Sequence, residues 1–131
     1  MAVPPTPDQL VSMLKHTTVT LVRRDGADLS ARQLAVFLTC YLMDGGHTVR
    51  GLAADLKVSK PAITRALDRL GELDYARRKV DPADRRSVLV QRTVKGAAFL
   101  RDLTKILSEA SAAAKKGQAA THEPARRAAR G

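Results

Sequence analysis

The sequence predicts a mainly α fold with one small β-hairpin. Three observations carry this. Apolar residues recur at helical spacing in five stretches of the chain. Most of these stretches open with a hydroxyl side chain placed to cap a helix. Only one segment, after Leu73, shifts to strand-like alternation around a turn built from Asp and Pro.

Taken in order, Pro4, Pro5 and Pro7 make residues 1–6 an extended start. Thr6 then offers a cap, with Pro7 at the first helical position and Gln9 at the third. The first helix carries Leu10, Val11, Leu14, Leu21 and Val22, against the lower helix propensity of the β-branched run from Thr17 to Val22. After a loop at Asp25 and Gly26, Ser30 and Gln33 spell a capping box, with Leu29 and Leu34 placed to staple across it. The helix that follows, Ala31 to Met43, is expected to bury Leu34, Phe37, Leu38, Tyr41 and Leu42, with Cys40 as a small buried hydrophobe and Gly45 and Gly46 as its stop.

Next, a short helix from Thr48 with apolar Leu52, Ala53 and Leu56 runs into Val58, Ser59, Lys60 and Pro61. Ser59 caps a second helix whose Ile63, Ala66, Leu67 and Leu70 form a buried stripe. That stripe leaves Lys60, Ala62, Thr64, Arg65, Asp68 and Arg69 toward solvent. Small Ala53 permits a close crossing and Val58 plugs the corner, as in a helix-turn-helix. Lys57 stands where such a turn favours Gly, so either it adopts a positive φ or the turn has another geometry. The hairpin runs Tyr75 to Val80, turns at Asp81, Pro82, Ala83 and Asp84, and returns over Ser87 to Gln91. Thr93 caps a last helix with Phe99, Leu100, Leu103, Ile106, Leu107 and Ala110 on one stripe, expected to run to about Lys116. Residues 117–131 read as a flexible basic tail.

The chain has 131 residues, 44% hydrophobic and 27% charged, which is globular composition. Its net charge is +10, and residues 59–131 supply +9 of it. A one-sided excess of this size fits a polyanionic partner, nucleic acid or an anionic surface. Arg77, Arg78, Lys79, Arg85 and Arg86 crowd the hairpin, and a phosphate or groove contact explains them where folding does not. A single Cys excludes an intrachain disulfide, and His16, His47 and His122 lack metal-ligand spacing, so no metal or cofactor is expected. Nothing beside His16 or His47 supplies a nucleophile, a paired carboxylate or a Gly-rich phosphate loop, which argues against an enzyme. No apolar run approaches a membrane span and residues 1–15 lack a signal peptide's pattern, so the expectation is a cytoplasmic, nucleoid-associated protein.

Leu29, Ser30 and Gln33, then Thr48, Val49, Leu52 and Ala53, then Asp81, Pro82, Asp84, Arg85, Arg86 and Val90, closed by Thr93 and Gly96, resemble in this order the MarR-like family of winged helix-turn-helix regulators. The resemblance covers roughly 29–96, and it sets a winged-helix domain at 7–116 with flanking dimerisation helices. It implies a homodimer on double-stranded DNA, each recognition helix (Lys60 to Leu73) in the major groove and each wing near the minor groove. It further implies that Arg86 probes the minor groove and that Asp84 orients it. Arg92 stands where the family has an apolar residue and Asp74 where it has Gly, and the chain has one terminal helix where the family has a longer pair. A small-molecule effector is known in such a family, but no residue here supports one.

The expected DNA contacts are therefore Ser59, Lys60, Ala62, Thr64, Arg65 and Arg69 on the recognition helix and Arg77, Arg78, Lys79, Asp84, Arg85 and Arg86 on the wing. Thr64 and Arg65 lie near the helix start, where a groove-reading helix meets bases, and Arg reads guanine bidentately. The bland alternatives are local ion pairs: Arg65 with Asp68, Arg69 with Glu72, Asp84 with Arg86. Dimerisation is assigned to Leu10, Leu14, Leu21, Leu103, Ile106 and Leu107. The function expected is a sequence-specific repressor. A nucleoid-type architectural DNA binder and a winged-helix module for an acidic protein remain open beside it.

Overall fold

A computed structural model describes residues 3–26 and 28–119. Its elements are α1 (Pro7–Arg23), α2 (Ala31–Leu42), β1 (His47–Thr48), α3 (Val49–Leu56), α4 (Lys60–Glu72), β2 (Ala76–Val80), β3 (Val88–Arg92) and α5 (Val94–Ala119). They fall into two compact units, one built from residues up to Gly26 and from Asp102 onward, the other from the segment between, ending at Arg101. Among the described residues no helix is long and apolar enough to cross a membrane.

In the first unit α1 opens with a complete capping box. Thr6 Oγ1 accepts the Gln9 N–H at 3.2 Å and Gln9 Oε1 accepts the Thr6 N–H at 2.8 Å. The β-branched run stays helical while Thr17, Thr18 and Thr20 donate their hydroxyls to the carbonyls of Met13, Leu14 and His16 one turn back. Arg24, just past α1, pairs with Asp102 of α5 at 3.2 Å. Leu103, Ala110 and Ala114 form the inward stripe of α5. Leu103, expected at a dimer seam, is thus already buried in the single chain, because it shares a helix face with those two alanines. Leu10, Leu14 and Leu107 remain exposed, at 52%, 64% and 48%, and Leu21 and Ile106 are half-buried.

The second unit packs α2, α3 and α4 with an antiparallel sheet of order β1-β3-β2. The hairpin of the sequence reading becomes a three-stranded sheet, since His47 and Thr48 pair with Val90 and Leu89. Strand limits shift by a residue: β2 starts at Ala76 and β3 at Val88. α2 ends at Leu42, capped by Met43, and Gly45 supplies a positive φ (107°) in the loop beyond rather than the stop. Its buried face is Val36, Phe37, Cys40 and Tyr41, whereas Leu42, expected inside, is 63% exposed. The four aromatic rings of the chain gather here, with Phe37 stacked on Tyr41, Tyr75 stacked on Phe99, and Phe37 edge-on to Phe99.

Tyr41 is the junction. Its hydroxyl donates to the Tyr75 carbonyl at 2.7 Å and accepts the Thr93 N–H at 2.9 Å. Thr93 Oγ1 donates to the Asp74 carbonyl at 2.6 Å and accepts the Gly96 N–H at 2.8 Å, which caps α5. Gly96 is held so close that an added Cβ would overlap the Tyr41 hydroxyl and the Tyr75 carbonyl. Arg92 explains its own departure from an apolar residue. Its Nε donates to the Cys40 carbonyl at 2.8 Å and its Nη2 to the Met43 carbonyl at 3.3 Å, with the guanidinium 5.6 Å from the Tyr41 ring centre. A cation so placed satisfies the orphan carbonyls at the end of α2 and opposes its dipole. The His47 ring lies 2.8 Å from the same Met43 carbonyl. α5 continues to Ala119, past the expected end near Lys116, and the rest of the basic tail, 120–131, lies outside the described residues.

Candidate nucleic-acid interface

The two-helix corner is fixed by backbone geometry. α3 is capped by Thr48, whose hydroxyl accepts the Gly51 N–H at 2.9 Å. It ends on Lys57 in the left-handed region (φ 56°, ψ 44°), so Lys57 takes the positive φ itself. The Val58 and Lys57 N–H groups return to the Ala53 and Ala54 carbonyls at 3.1 and 3.3 Å, a Schellman closure. Two residues on, Ser59 Oγ accepts the Ala62 N–H at 3.2 Å and α4 begins. α4 ends in the same way: Asp74, at φ 59°, and Tyr75 donate to the Gly71 and Leu70 carbonyls. Both turns are thus closed by polar residues, Lys57 and Asp74, where glycine is the easier choice.

α4 buries Ala62, Ile63, Ala66, Leu67 and Leu70. Ala62, expected to face DNA, therefore faces the core; it stands on the i, i+4, i+8 row with Ala66 and Leu70. Lys60, Arg65 and Asp68 are exposed, and Thr64 and Arg69 half-buried. Asp68 does not pair with Arg65. Its Oδ1 accepts from Nη2 of Arg78 on β2, which leaves Arg65 without an ion pair among the described residues. Arg69 reaches Glu72 only at 3.9 Å.

The wing tip is built by two carboxylates. Asp81 Oδ1 accepts the Ala83 N–H at 2.9 Å and Asp84 Oδ1 the Arg86 N–H at 3.1 Å. Asp84 thereby shapes the backbone under Arg86. Its contact with the Arg86 guanidinium is a long 3.8 Å, and the Arg86 side chain is 92% exposed. Alternation along β2 splits the basic residues. Arg78 shares a face with Ala76 and Val80, while Arg77 and Lys79 take the other, where Arg77 is engaged by Asp74 at 3.1 Å. Arg85 is exposed at the tip.

These elements enclose a cleft of about 350 Å³ lined by Thr48, Val49, Arg50, Lys60, Thr64, Arg78, Arg86, Ser87 and Val88. Four cations from α3, α4 and both sides of the wing tip converge on it. Arg50 and Thr48 were missed by sequence reasoning, since they sit in the supporting helix and at its cap, outside the basic hairpin. Of the expected contacts, Lys60, Thr64, Arg78 and Arg86 come together here, while Arg65, exposed on α4, and Arg77 and Lys79 on the wing are not among the lining residues. A basic concave surface of this kind complements the charge of a nucleic-acid backbone. Cys40 takes no part: burial pushes its thiol up to about 11 despite the pull of Arg92, so it is inert packing.

A family model described as MarR family matches residues 27–87. Among solved structures, a mutant of S. aureus MepR superposes with a TM-score of 0.68 at 19% identity over 97% of this chain and 92% of that one. MarR itself gives 0.64 at 25% identity over 92% and 86% of the two chains. CouR, described as a transcriptional repressor bound to a 23-mer DNA duplex, gives 0.60 at 25% identity over 76% and 65%. Among curated proteins nothing matches.

Proposed function

We propose that the chain, which a MarR family model matches over residues 27–87 and which is similar to MarR itself, is a winged helix-turn-helix transcriptional regulator of that family that binds double-stranded DNA as a homodimer and represses transcription by occupying a promoter. The observation that carries this is the cleft where Arg50, Lys60, Arg78 and Arg86 converge, with Arg65 exposed on the same helix as Lys60 and without an ion pair among the described residues. Arg65, one turn into α4, is placed to read a base edge. Arg86 extends from the tip toward the minor groove, and the cleft between them takes backbone phosphate. CouR, similar in fold at 25% identity, was solved bound to a 23-mer DNA duplex, which supports a duplex as the partner.

Dimerisation is supported by the unit that holds α1 and the end of α5. Leu10, Val11, Leu14, Val22 and Leu107 are all exposed there, apolar side chains that a second copy would cover. Two copies would place two recognition helices on a site of two-fold symmetry.

Competition binding at fixed salt tests the proposal. A specific regulator prefers its own site over random duplex by about 10³ or more. Uniform binding to all sequences would make the protein an architectural binder, and no binding near physiological salt would turn the basic face toward an acidic protein instead.

A further inference from the structure

Asp68 is an acid on the face of α4 offered to DNA, half-exposed and three residues past Arg65. A carboxylate there repels the phosphate backbone, so its presence needs a reason. It continues the row Lys60, Thr64, Asp68, spaced four residues apart, whose first two members line the cleft. From the end of that row it reaches across to Arg78 of β2, itself a cleft residue. This is the one side-chain hydrogen bond that joins α4 to a wing strand among the described residues. It engages Arg78 through Nη2 and leaves the other guanidinium donors without a hydrogen bond among the described residues. A long arginine left alone would sample many rotamers, whereas one tethered at a single nitrogen is already aimed.

We infer that Asp68 is a positioning residue for DNA binding: it holds the Arg78 guanidinium over the cleft, so that a backbone phosphate meets Arg78, Lys60 and Arg86 already arranged. The inference rests on the DNA-binding reading above. It makes a prediction opposite in sign to simple electrostatics, because removing a negative charge from a DNA-facing surface should otherwise tighten binding.

The experiment measures equilibrium binding, across a series of salt concentrations, to a duplex selected from a random library by the wild-type protein. Asp68→Asn is expected to weaken binding about fivefold, the scale of an exposed charge pair, although it raises the net charge. Arg78→Ala should lose at least as much and lower the salt slope by about one. Asp68→Asn added to Arg78→Ala should cause no further loss, and Asp68→Glu should restore part of the wild-type affinity. Thermal stability should stay near wild type in each variant, since exposed pairs contribute little to folding.

Tighter binding by Asp68→Asn with a steeper salt slope would overturn the inference and leave Asp68 a plain repulsive charge. So would losses that add in the double variant, or a changed preference at one base pair, which would make Asp68 a reader of bases. An Asp68→Asn protein that unfolds would make the residue structural, and Asp68→Glu then reports whether binding follows the tether. If the wild-type protein selects no duplex at all, the DNA-binding reading fails and the inference falls with it, an outcome distinct from every variant result.

Discussion

Replacing Gly96 by Ala puts one methyl group where α5 passes the Tyr41 hydroxyl and the Tyr75 carbonyl, both closer than any real Cβ contact. In an exposed helix the same change would stabilise by about 1 kcal/mol through helix propensity. Here the methyl must displace the Tyr41 hydroxyl. That breaks its bonds to the Tyr75 carbonyl and the Thr93 N–H, and strands two part-buried backbone groups at about 1–3 kcal/mol each. Overpacking adds about 1–3 kcal/mol where the backbone cannot yield. Allowing for partial relaxation and the propensity gain, we expect a net loss of about 2–4 kcal/mol. Urea denaturation read by circular dichroism would show it as a lower midpoint with an unchanged slope. Tyr41→Phe removes the nearest obstructing atom, so the Gly96→Ala loss should shrink in that background but not vanish, because the Tyr75 carbonyl and the ring carbon Cζ of residue 41 stay. A Gly96→Ala protein as stable as wild type, or more so, would refute the close approach.

Arg65→Ala should weaken binding to the selected site by about 1–3 kcal/mol and relax preference at one base position per half-site, whereas equal loss on every sequence would make Arg65 a phosphate contact. Leu107→Glu, at a residue 48% exposed in the single chain, should leave a folded protein by circular dichroism that sediments as monomer and binds DNA poorly; a wild-type protein already monomeric at micromolar concentration would refute the dimer. Cys40, its thiol raised from 9.0 to about 11 by burial, should react with iodoacetamide at pH 8 about a hundredfold more slowly in the native protein than in urea. Because the folded state holds that proton more tightly, its contribution to stability is intact below pH 9 and is lost as pH rises through about 11, so a midpoint that climbed with pH there would contradict the assignment.

What the sequence made legible was local chemistry. Thr6 with Gln9, Ser30 with Gln33, and the single caps Ser59 and Thr93 all act as read, because a cap and its target are three residues apart. What stayed hidden depends on distant pairing. β1 is two residues long and exists only through its register with Val90 and Leu89, some forty residues on, so no periodicity announces it. Ala62 carries too small a side chain to mark a face, and its place beside Ala66 and Leu70 shows only once α4 has a neighbour. Arg50 joins the cleft because the wing folds back over α3, a juxtaposition absent from the order of the chain. Arg92 looked like a misfit at the hairpin's end until the end of α2 was placed against it.

That clamp at the root of the wing bears on the kinetics of recognition. Ordering a loose hairpin against DNA would cost about 1–2 kcal/mol of backbone entropy for every residue fixed. Arg92 and His47 grip the last carbonyls of α2, and Asp81 and Asp84 close the tip onto its own backbone, so the wing is tied at root and tip before any duplex arrives. The entropy is surrendered during folding and is absent from the encounter. Association can then run at a rate set by diffusion and steering rather than by a search through hairpin shapes, and variants that loosen the root should slow arrival at the operator as well as hasten departure.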